Sequence, residues 1–473
     1  MDIVAQMKKF VEPKSVALIG VSRSAMTIRG APFDLLTNLI NCGYQSKIYP
    51  IHPQAIKIRG LRTYASIADA PANIDLAVIN LPRNLVPRIV KECVNKGIKA
   101  ITIVTQGFVD ADDDEGKQLQ KEIDNAISGT DTRILGPNTF GTANAYINFS
   151  SAFVATQMER IPVGFMCQTG VFFASFADLK LIGKSIDLGN GCDVSFVDGL
   201  KYFEQDTETK VVGLHIEGMK DASQFVTQAK RVSRRKPIVV LKTGRSERSA
   251  QAAQSHTGSL VGKDEIWSAS LKQAGVTRVD DIEELGDTIK AFYTLPPMKG
   301  RRIGIVTYTG GFGIMGVDTC HKFNLKIAKL SPATTKRLNV LFPSWQNVGN
   351  PVDIWPAIMV AKKASLSEVQ EIAAQTLLDD TGVDAVLCIL GAFASPTGMG
   401  LNQMMERAID SHPDKPLVLY FYGPLAREAK DKLEETGKTL VFPSPDRAIR
   451  VLGHLADYSE FRIKDHVILN IPF

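Results

Sequence analysis

The chain has no run of about 18 apolar residues, so no membrane-spanning helix is expected. Its start, Met1-Asp2-Ile3-Val4, lacks a basic region followed by an apolar stretch, which predicts no secretory signal. Cysteine is sparse: Cys42, Cys93, Cys167, Cys192, Cys320 and Cys388 are scattered, and no two form a CxxC pair. That excludes local zinc or iron–sulfur ligand spacing, so no metal site is expected; free thiols fit a reducing, cytoplasmic setting. Charge of one sign is also limited. A net charge of +5 over 473 residues, without a long basic run, leaves no nucleic-acid footprint. It suits at most the attraction of an anionic ligand. The densest basic stretch is Lys230, Arg231, Arg234, Arg235 and Lys236. It ends a predicted helix before Pro237, where cations complement the helix C-terminus.

Two phosphate-binding signatures are missing as well. GxGxxG does not occur, and neither Gly183-Lys184-Ser185 nor Gly437-Lys438-Thr439 has the earlier glycine of a Walker A loop. No ATP-binding lobe is recognisable, so ATP, if used, is expected on another chain.

What is present is an apolar fraction of 44%, enough for complete cores. At roughly 150 residues per domain the length suggests about three domains. Short apolar strands alternate with helical stretches throughout, which predicts parallel sheets with crossover helices. In the first unit, Ser15 to Gly20, Asp75 to Asn80 and Ala100 to Val104 read as buried strands in a Rossmann-like order. The second unit has strands at Val163 to Cys167, Val211 to Ile216 and Ile238 to Leu241, and Pro296-Pro297 reads as a linker. The third begins at Arg301 and continues through strands at Asp384 to Leu390 and Pro416 to Phe421. Units two and three open alike, with a strand, a small polar or glycine turn and a helix.

Gly20-Val21-Ser22-Arg23-Ser24 follows the first strand. Glycine at a strand end allows close backbone approach, and hydroxyls with free amides suit phosphate. The second strand ends at Tyr49-Pro50-Ile51-His52, without the acidic residue that would hold a dinucleotide ribose. The turn admits a phosphorylated adenosine such as CoA, another ligand, or no ligand at all.

A stretch of small residues, Ser249 to Ser259, surrounds His256. Such a segment makes poor core packing and a good loop. A histidine with a free ring nitrogen is a nucleophile at neutral pH; the alternative is an imidazole satisfied by a backbone bond. Glu217 follows a buried strand, where carboxylates face the ligand edge of such sheets and can orient an imidazole. Gln168-Thr169-Gly170 and Thr309-Gly310-Gly311-Phe312-Gly313 both open helices, and two such starts could hold a phosphoryl group without lysine.

These residues bring out a family likeness. Pro13 to Gly20, Ile48-Tyr49-Pro50, Gln106-Gly107-Phe108, Gly136-Pro137-Asn138, Gln168-Thr169-Gly170, Ile216-Glu217-Gly218, Ser255-His256-Thr257-Gly258 and Gly349 to Asp353 stand in order along nearly the whole chain. The chain resembles the α subunit of ADP-forming acetyl-CoA synthetases and, more distantly, that of succinyl-CoA synthetase. The resemblance implies an α/β fold: an N-terminal Rossmann-like CoA-binding domain (1–148), then two flavodoxin-like doubly wound domains (149–297 and 298–473). It implies CoA binding through Gly20, Ser22, Arg23, Pro50, Leu81, Pro82, Gly107, Phe108 and Asn138. It makes His256 the transiently phosphorylated histidine, with Glu217 in support. Gln168, Thr169 and Gly170 would hold phosphate together with Thr309, Gly310, Gly311 and Gly313.

The implied reaction interconverts acyl-CoA, ADP and phosphate with a carboxylic acid, CoA and ATP, through an acyl phosphate and phosphohistidine. The family's nucleotide-binding half is an ATP-grasp module. An ATP-grasp β subunit binding ATP or ADP with Mg²⁺ is therefore the implied partner, in an αβ or α2β2 assembly. Thr169 replaces the usual serine and keeps its hydroxyl. His52-Pro53 stands where Asn-Pro is common, so His52 either contacts CoA or is exposed. Val171, Phe172 and Phe173 either pack on the core or shape an acyl pocket; Tyr308 and Phe312 raise the same question. The rival functions are a CoA-dependent lyase or transferase without nucleotide, and an acyl-CoA-binding regulator.

Overall fold

The structure is a computed structural model that describes residues 2–24, 27–28, 31–54, 56–174, 179–246, 248–249, 263–393 and 401–469. Contacts divide the chain into two units, one ending at Ile289 and one beginning at Lys290. The division falls inside the helix Ile282–Thr294, ahead of Pro296-Pro297.

Among the described residues the first unit holds two large sheets and two small two-stranded ones. In the first, Lys47–Ile51, Ser15–Ile19, Leu76–Ile79, Ala100–Ile103 and Arg133–Leu135 lie side by side, all parallel. Ser15–Ile19 and Leu76–Ile79 are buried along their whole length, as strands covered on both faces must be. Helices Val86–Asn95 and Asp114–Ile127 connect the strands. Asp34 caps the helix Leu35–Asn41 by accepting from the Thr37 amide at 2.8 Å.

The second sheet has the parallel order Lys184–Asp187, Val163–Cys167, Val211–Ile216, Ile238–Lys242, Thr277–Val279. Two antiparallel strands, Thr142–Asn144 and Phe149–Ser150, extend its Lys184–Asp187 edge. The basic stretch at Lys230 and Arg231 occupies the last turn of the helix Ala222–Ser233.

Side chains join the two sheets. Tyr202 donates to Glu12 Oε1 at 2.5 Å, and Lys184 Nζ donates to the Tyr202 hydroxyl at 3.2 Å and to Asp206 at 2.7 Å. Arg133 pairs with Asp193 and Asp198 at 2.8 and 3.1 Å. A charge as deeply buried as Lys184 is tolerated only because it is multiply paired.

The second unit repeats the arrangement. Lys326–Ile327, Arg302–Thr307, Ala385–Gly391, Leu417–Tyr422 and Leu440–Phe442 form its parallel order, and Val352–Asp353 pairs with Arg302–Thr307. All three parallel cores thus share one order, with the first strand second from the edge. In each, the chain reverses direction between its first and third strands. Ligands of open α/β sheets bind beyond the strand carboxyl ends at such a reversal.

Candidate active site

The carboxyl edge of the first sheet gathers most of the expected CoA residues. Gly20, Leu81 and Gly107 follow three neighbouring strands, and Asn138 follows the fourth. Gly20 has φ +94°, and an added Cβ would lie 2.0 Å from the Asn80 carbonyl oxygen. No L side chain fits there, so the packing of adjacent strands alone requires glycine. Ser22 and Arg23 are exposed; Arg23 reaches Gln54 Oε1 at 3.3 Å. The Thr105 hydroxyl donates to the Leu81 carbonyl at 2.7 Å and fixes the Leu81-Pro82 turn.

Asp110 accepts from the amides of Gly107 and Phe108 at 3.0 and 2.9 Å. The Phe108 ring is fully buried in the core, so only its backbone faces the turn. Asn138 sits at φ +58° with its amide 3.4 Å from Asn190 Oδ1. Pro50 is buried inside its strand, where its carbonyl accepts from Tyr64. His52 is half-buried and accepts the Gln54 amide on Nδ1 at 3.1 Å, so it is not simply exposed.

The carboxyl edge of the second sheet brings Gln168 and Glu217 together. Both side chains are nearly buried. Gln168 Oε1 accepts from the Glu217 amide at 2.8 Å and from the Gly218 amide at 3.2 Å. Those amides leave the end of one strand, and Gln168 leaves the end of its neighbour. Thr169 and Gly170 complete the turn, and an added Cβ on Gly170 would press into the Phe140 ring at 2.3 Å. Phe172 and Phe173 pack into the core, while Val171 is exposed. A cavity of about 120 Å³ opens beside this turn, lined among others by Gln168, Asn190, Gly218 and Lys220.

The sequence reading overlooked three buried ionisable side chains here. Lys242, at the end of the adjoining strand, donates from Nζ to the Glu217 carbonyl at 2.7 Å and also to the Thr243 carbonyl. Its ammonium lies 5.6 Å from the Trp267 ring centre, and burial, reinforced by Arg278, pulls its pKa down to about 8. His215 is buried one residue before the strand end; burial and the Lys242 charge hold its pKa near about 4. Its Nε2 is 3.3 Å from the Thr243 hydroxyl, its ring lies 5.0 Å from that of Phe172, and it presents no open face to a substrate. Asp187 ends its strand and accepts from the amides of Phe140 at 2.7 Å and Gly189 at 3.2 Å. Burial nevertheless pushes its pKa up to about 6. Asp187 bears the same signal that singles out Glu217, a carboxylate at a strand carboxyl end.

His256 and its neighbours from 250 to 262 lie outside the described residues. The segment's two ends are described. It leaves from Thr243, beside Glu217, and returns at the helix Asp264–Gln273, whose Trp267 faces Lys242. Arg245 anchors the departing end through Asp280 and the Val279 carbonyl, at 2.6 and 2.8 Å.

In the second unit, Thr309 caps the helix Gly310–Lys322 by accepting from the Phe312 amide at 3.4 Å. Gly311 has open space around its missing side chain, and Gly310 would place a Cβ 3.3 Å from Asp353. Phe312 packs on Tyr420 and Tyr422, and the buried Tyr308 hydroxyl accepts from Gln370. Among the described residues, no group of three or more His, Cys, Asp or Glu side chains could hold a metal ion, and no helix is long and apolar enough to cross a membrane.

Comparison with known proteins agrees with this geometry. Residues 14–145 match a CoA binding domain, and residues 160–292 match a succinyl-CoA ligase-like flavodoxin domain. The chain is 34% identical to the ADP-forming acetate–CoA ligase II of Archaeoglobus fulgidus, over 98% of the chain and 68% of that protein. It spans 64% of a similar ligase from Methanocaldococcus jannaschii, about two thirds of the length in both cases. It is 33% identical to the α subunit of ADP-forming acetate–CoA ligase I of Pyrococcus furiosus, covering 97% of the chain and 99% of that subunit. The dinucleotide-forming acetyl-coenzyme A synthetase 1 of Candidatus Korarchaeum cryptofilum, solved with phosphate and ADP, superposes with a TM-score of 0.87 at 27% identity, over 98% of this chain and 99% of that one. With an α subunit matched from end to end at this identity, the chain belongs to the ADP-forming acetate–CoA ligase family.

Proposed function

We propose that this chain is the α subunit of an NDP-forming acid–CoA ligase, with His256 as its phosphate carrier. The observation that carries the reading is the Gln168 bridge. It holds Glu217 at the carboxyl edge of the second sheet, next to the strand from which the His256 segment departs.

Phosphate attacks the acyl-CoA thioester carbonyl and displaces CoA, giving an acyl phosphate. His256 then attacks phosphorus and releases the carboxylate. Glu217 accepts the N–H of the other ring nitrogen, which orients the imidazole and stabilises its positive charge. ADP takes the phosphoryl group and becomes ATP, and every step runs in reverse to make acyl-CoA. Gln168 to Gly170 and Thr309 to Gly313 are each a helix start with backbone donors suited to phosphate, the second with open space at Gly311.

The exposed Ser22 and Arg23 suit a CoA phosphate, and the Leu81-Pro82 and Gly107-Phe108 turns, each fixed by its own hydrogen bonds, offer a shaped edge to its arm. Asn138 shapes the neighbouring turn. ADP or ATP with Mg²⁺ belongs to an ATP-grasp β subunit, in an αβ or α2β2 assembly in the cytoplasm. The domains are 1–148, 149–297 and 298–473, each built on one sheet. The strand Thr142–Asn144 is the exception: it precedes 148 but pairs into the second sheet.

The test is to incubate the chain with radiolabelled phosphate, Mg²⁺ and acyl-CoA thioesters, with and without an ATP-grasp partner, beside His256→Asn. Acid-labile, base-stable label on the wild type alone is expected. Equal label on His256→Asn would remove the phosphohistidine, and no label even with the partner would remove the ligase reading.

A further inference from the structure

An aromatic row in the first unit connects the expected CoA turn to the expected phosphate turn. At one end the Phe140 ring lies against Gly170, and only the missing side chain of that glycine makes room for it. Phe140 meets Phe153 with ring centres 4.5 Å apart at 56°, and Phe153 meets Phe33 at 4.9 Å and 68°. At the other end Phe33 leads into Asp34, which pairs with Arg59 at 3.1 Å, and Arg59 donates to the Ser22 carbonyl at 3.3 Å. Phe33, Phe140 and Phe153 are each only half-buried, unlike Phe165, Phe173 and Phe203 in the core. Three adjoining aromatic rings, each left partly open, offer an apolar surface to a ligand.

Resting on the function proposed above, we infer that this row is the acyl-binding wall and that the preferred acid is aryl or arylalkyl rather than acetate. Transfer from CoA sulfur to phosphate requires the acyl carbonyl to be within reach of both. The acyl group therefore lies at the end of the CoA arm remote from its phosphates, beside the Gln168–Gly170 turn, against Phe140 and the adjoining Phe153 and Phe33. A methyl group covers little of three rings. A phenyl ring stacks on them edge to face and removes far more apolar surface from water. None of the three contributes a donor or a charge that would favour a dicarboxylic acyl group.

The test is calorimetric binding of CoA, acetyl-CoA and phenylacetyl-CoA to the intact chain, for the wild type, Phe153→Leu and Phe140→Leu. Leucine keeps the site apolar and removes the ring. Phenylacetyl-CoA is expected to bind the wild type about tenfold more tightly than acetyl-CoA. That ratio is expected to fall toward one in both variants, with CoA affinity unchanged, which also reports that the variants are folded. Equal affinity of the two thioesters for the wild type would overturn the inference and leave the ligase reading standing. A parallel loss of CoA affinity in the variants would assign the rings to the CoA arm and overturn it too. Failure of CoA and both thioesters to bind at all would remove CoA binding, and with it both proposals.

Discussion

The Lys242 ammonium donates to the main-chain carbonyl of Glu217 across the gap between two neighbouring strands, at 2.7 Å. The same ammonium holds the Thr243 carbonyl and faces Trp267, so it touches both ends of the segment that contains His256. Lys242→Met would leave the buried Glu217 carbonyl and the part-buried Thr243 carbonyl without that donor, at a cost of about 1–3 kcal/mol for the buried one. Denaturant unfolding is expected to show that loss. Phosphohistidine formation is expected to slow by more than the fraction unfolded accounts for, while CoA affinity stays near the wild-type value. An unchanged phosphorylation rate per folded molecule would reduce Lys242 to a packing element.

Glu217→Gln keeps the size and the backbone contacts to Gln168 and removes the charge. Phosphohistidine formation is expected to fall by roughly 10²-fold or more in a rapid-quench measurement. A rate equal to that of the wild type would make Glu217 structural.

Asp187 gives a pH dependence with a defined sign. Its folded pKa, about 6, lies above the ordinary 3.8 because burial disfavours the charge. The folded state therefore binds the proton more tightly than the unfolded state does. The resulting stabilisation is full below the unfolded pKa and is lost as pH rises through about 6. Asp187→Asn cannot ionise. Between pH 4 and 6.5 the wild type is expected to lose stability relative to this variant as pH rises, read from paired urea midpoints. A constant difference across that range would show that Asp187 does not titrate there.

Gly20→Ala places a methyl group against the Asn80 carbonyl at a backbone angle that alanine rarely adopts. It is expected to destabilise the first sheet by about 2 kcal/mol or more, with the largest loss of hydrogen-exchange protection in Ser15–Ile19 and Leu76–Ile79. Because glycine is required there for packing, weaker CoA binding by this variant would follow from the displaced turn.

Much of this was legible in the sequence because buried parallel strands leave continuous apolar runs. Val163–Cys167 and Val211–Ile216 were readable to the residue, and Glu217 stood out as a carboxylate following such a run. Lys184–Asp187 was not readable as a strand. Its lysine, serine and aspartate resemble a loop, and Gly183-Lys184-Ser185 drew the eye to a nucleotide motif instead. Only the fold supplies the Glu12, Asp206 and Glu208 partners that allow Lys184 to be buried. Asp187 was hidden with it. Gln168 was expected to serve phosphate, yet its side-chain oxygen serves two amides of a neighbouring strand, a contact that depends on strand order. The row of Phe33, Phe140 and Phe153 was invisible for the same reason, since it joins residues as many as 120 positions apart. Phe172 and Phe173, weighed as acyl-pocket residues, pack inward, as their place facing a buried sheet requires.

The strand Thr142–Asn144 completes the second sheet, the helix Ile3–Val11 packs against the helix Phe196–Gln205, and Glu12 shares its carboxylate with Tyr202 and Lys184. The nominal N-terminal domain thus has parts of its core walls in the next one. Cut at its boundary, either piece would expose a raw hydrophobic face, and Lys184 would lose Glu12 while keeping Asp206 and Glu208. The two segments therefore form one compact unit, and residue 148 is not a place at which the chain comes apart.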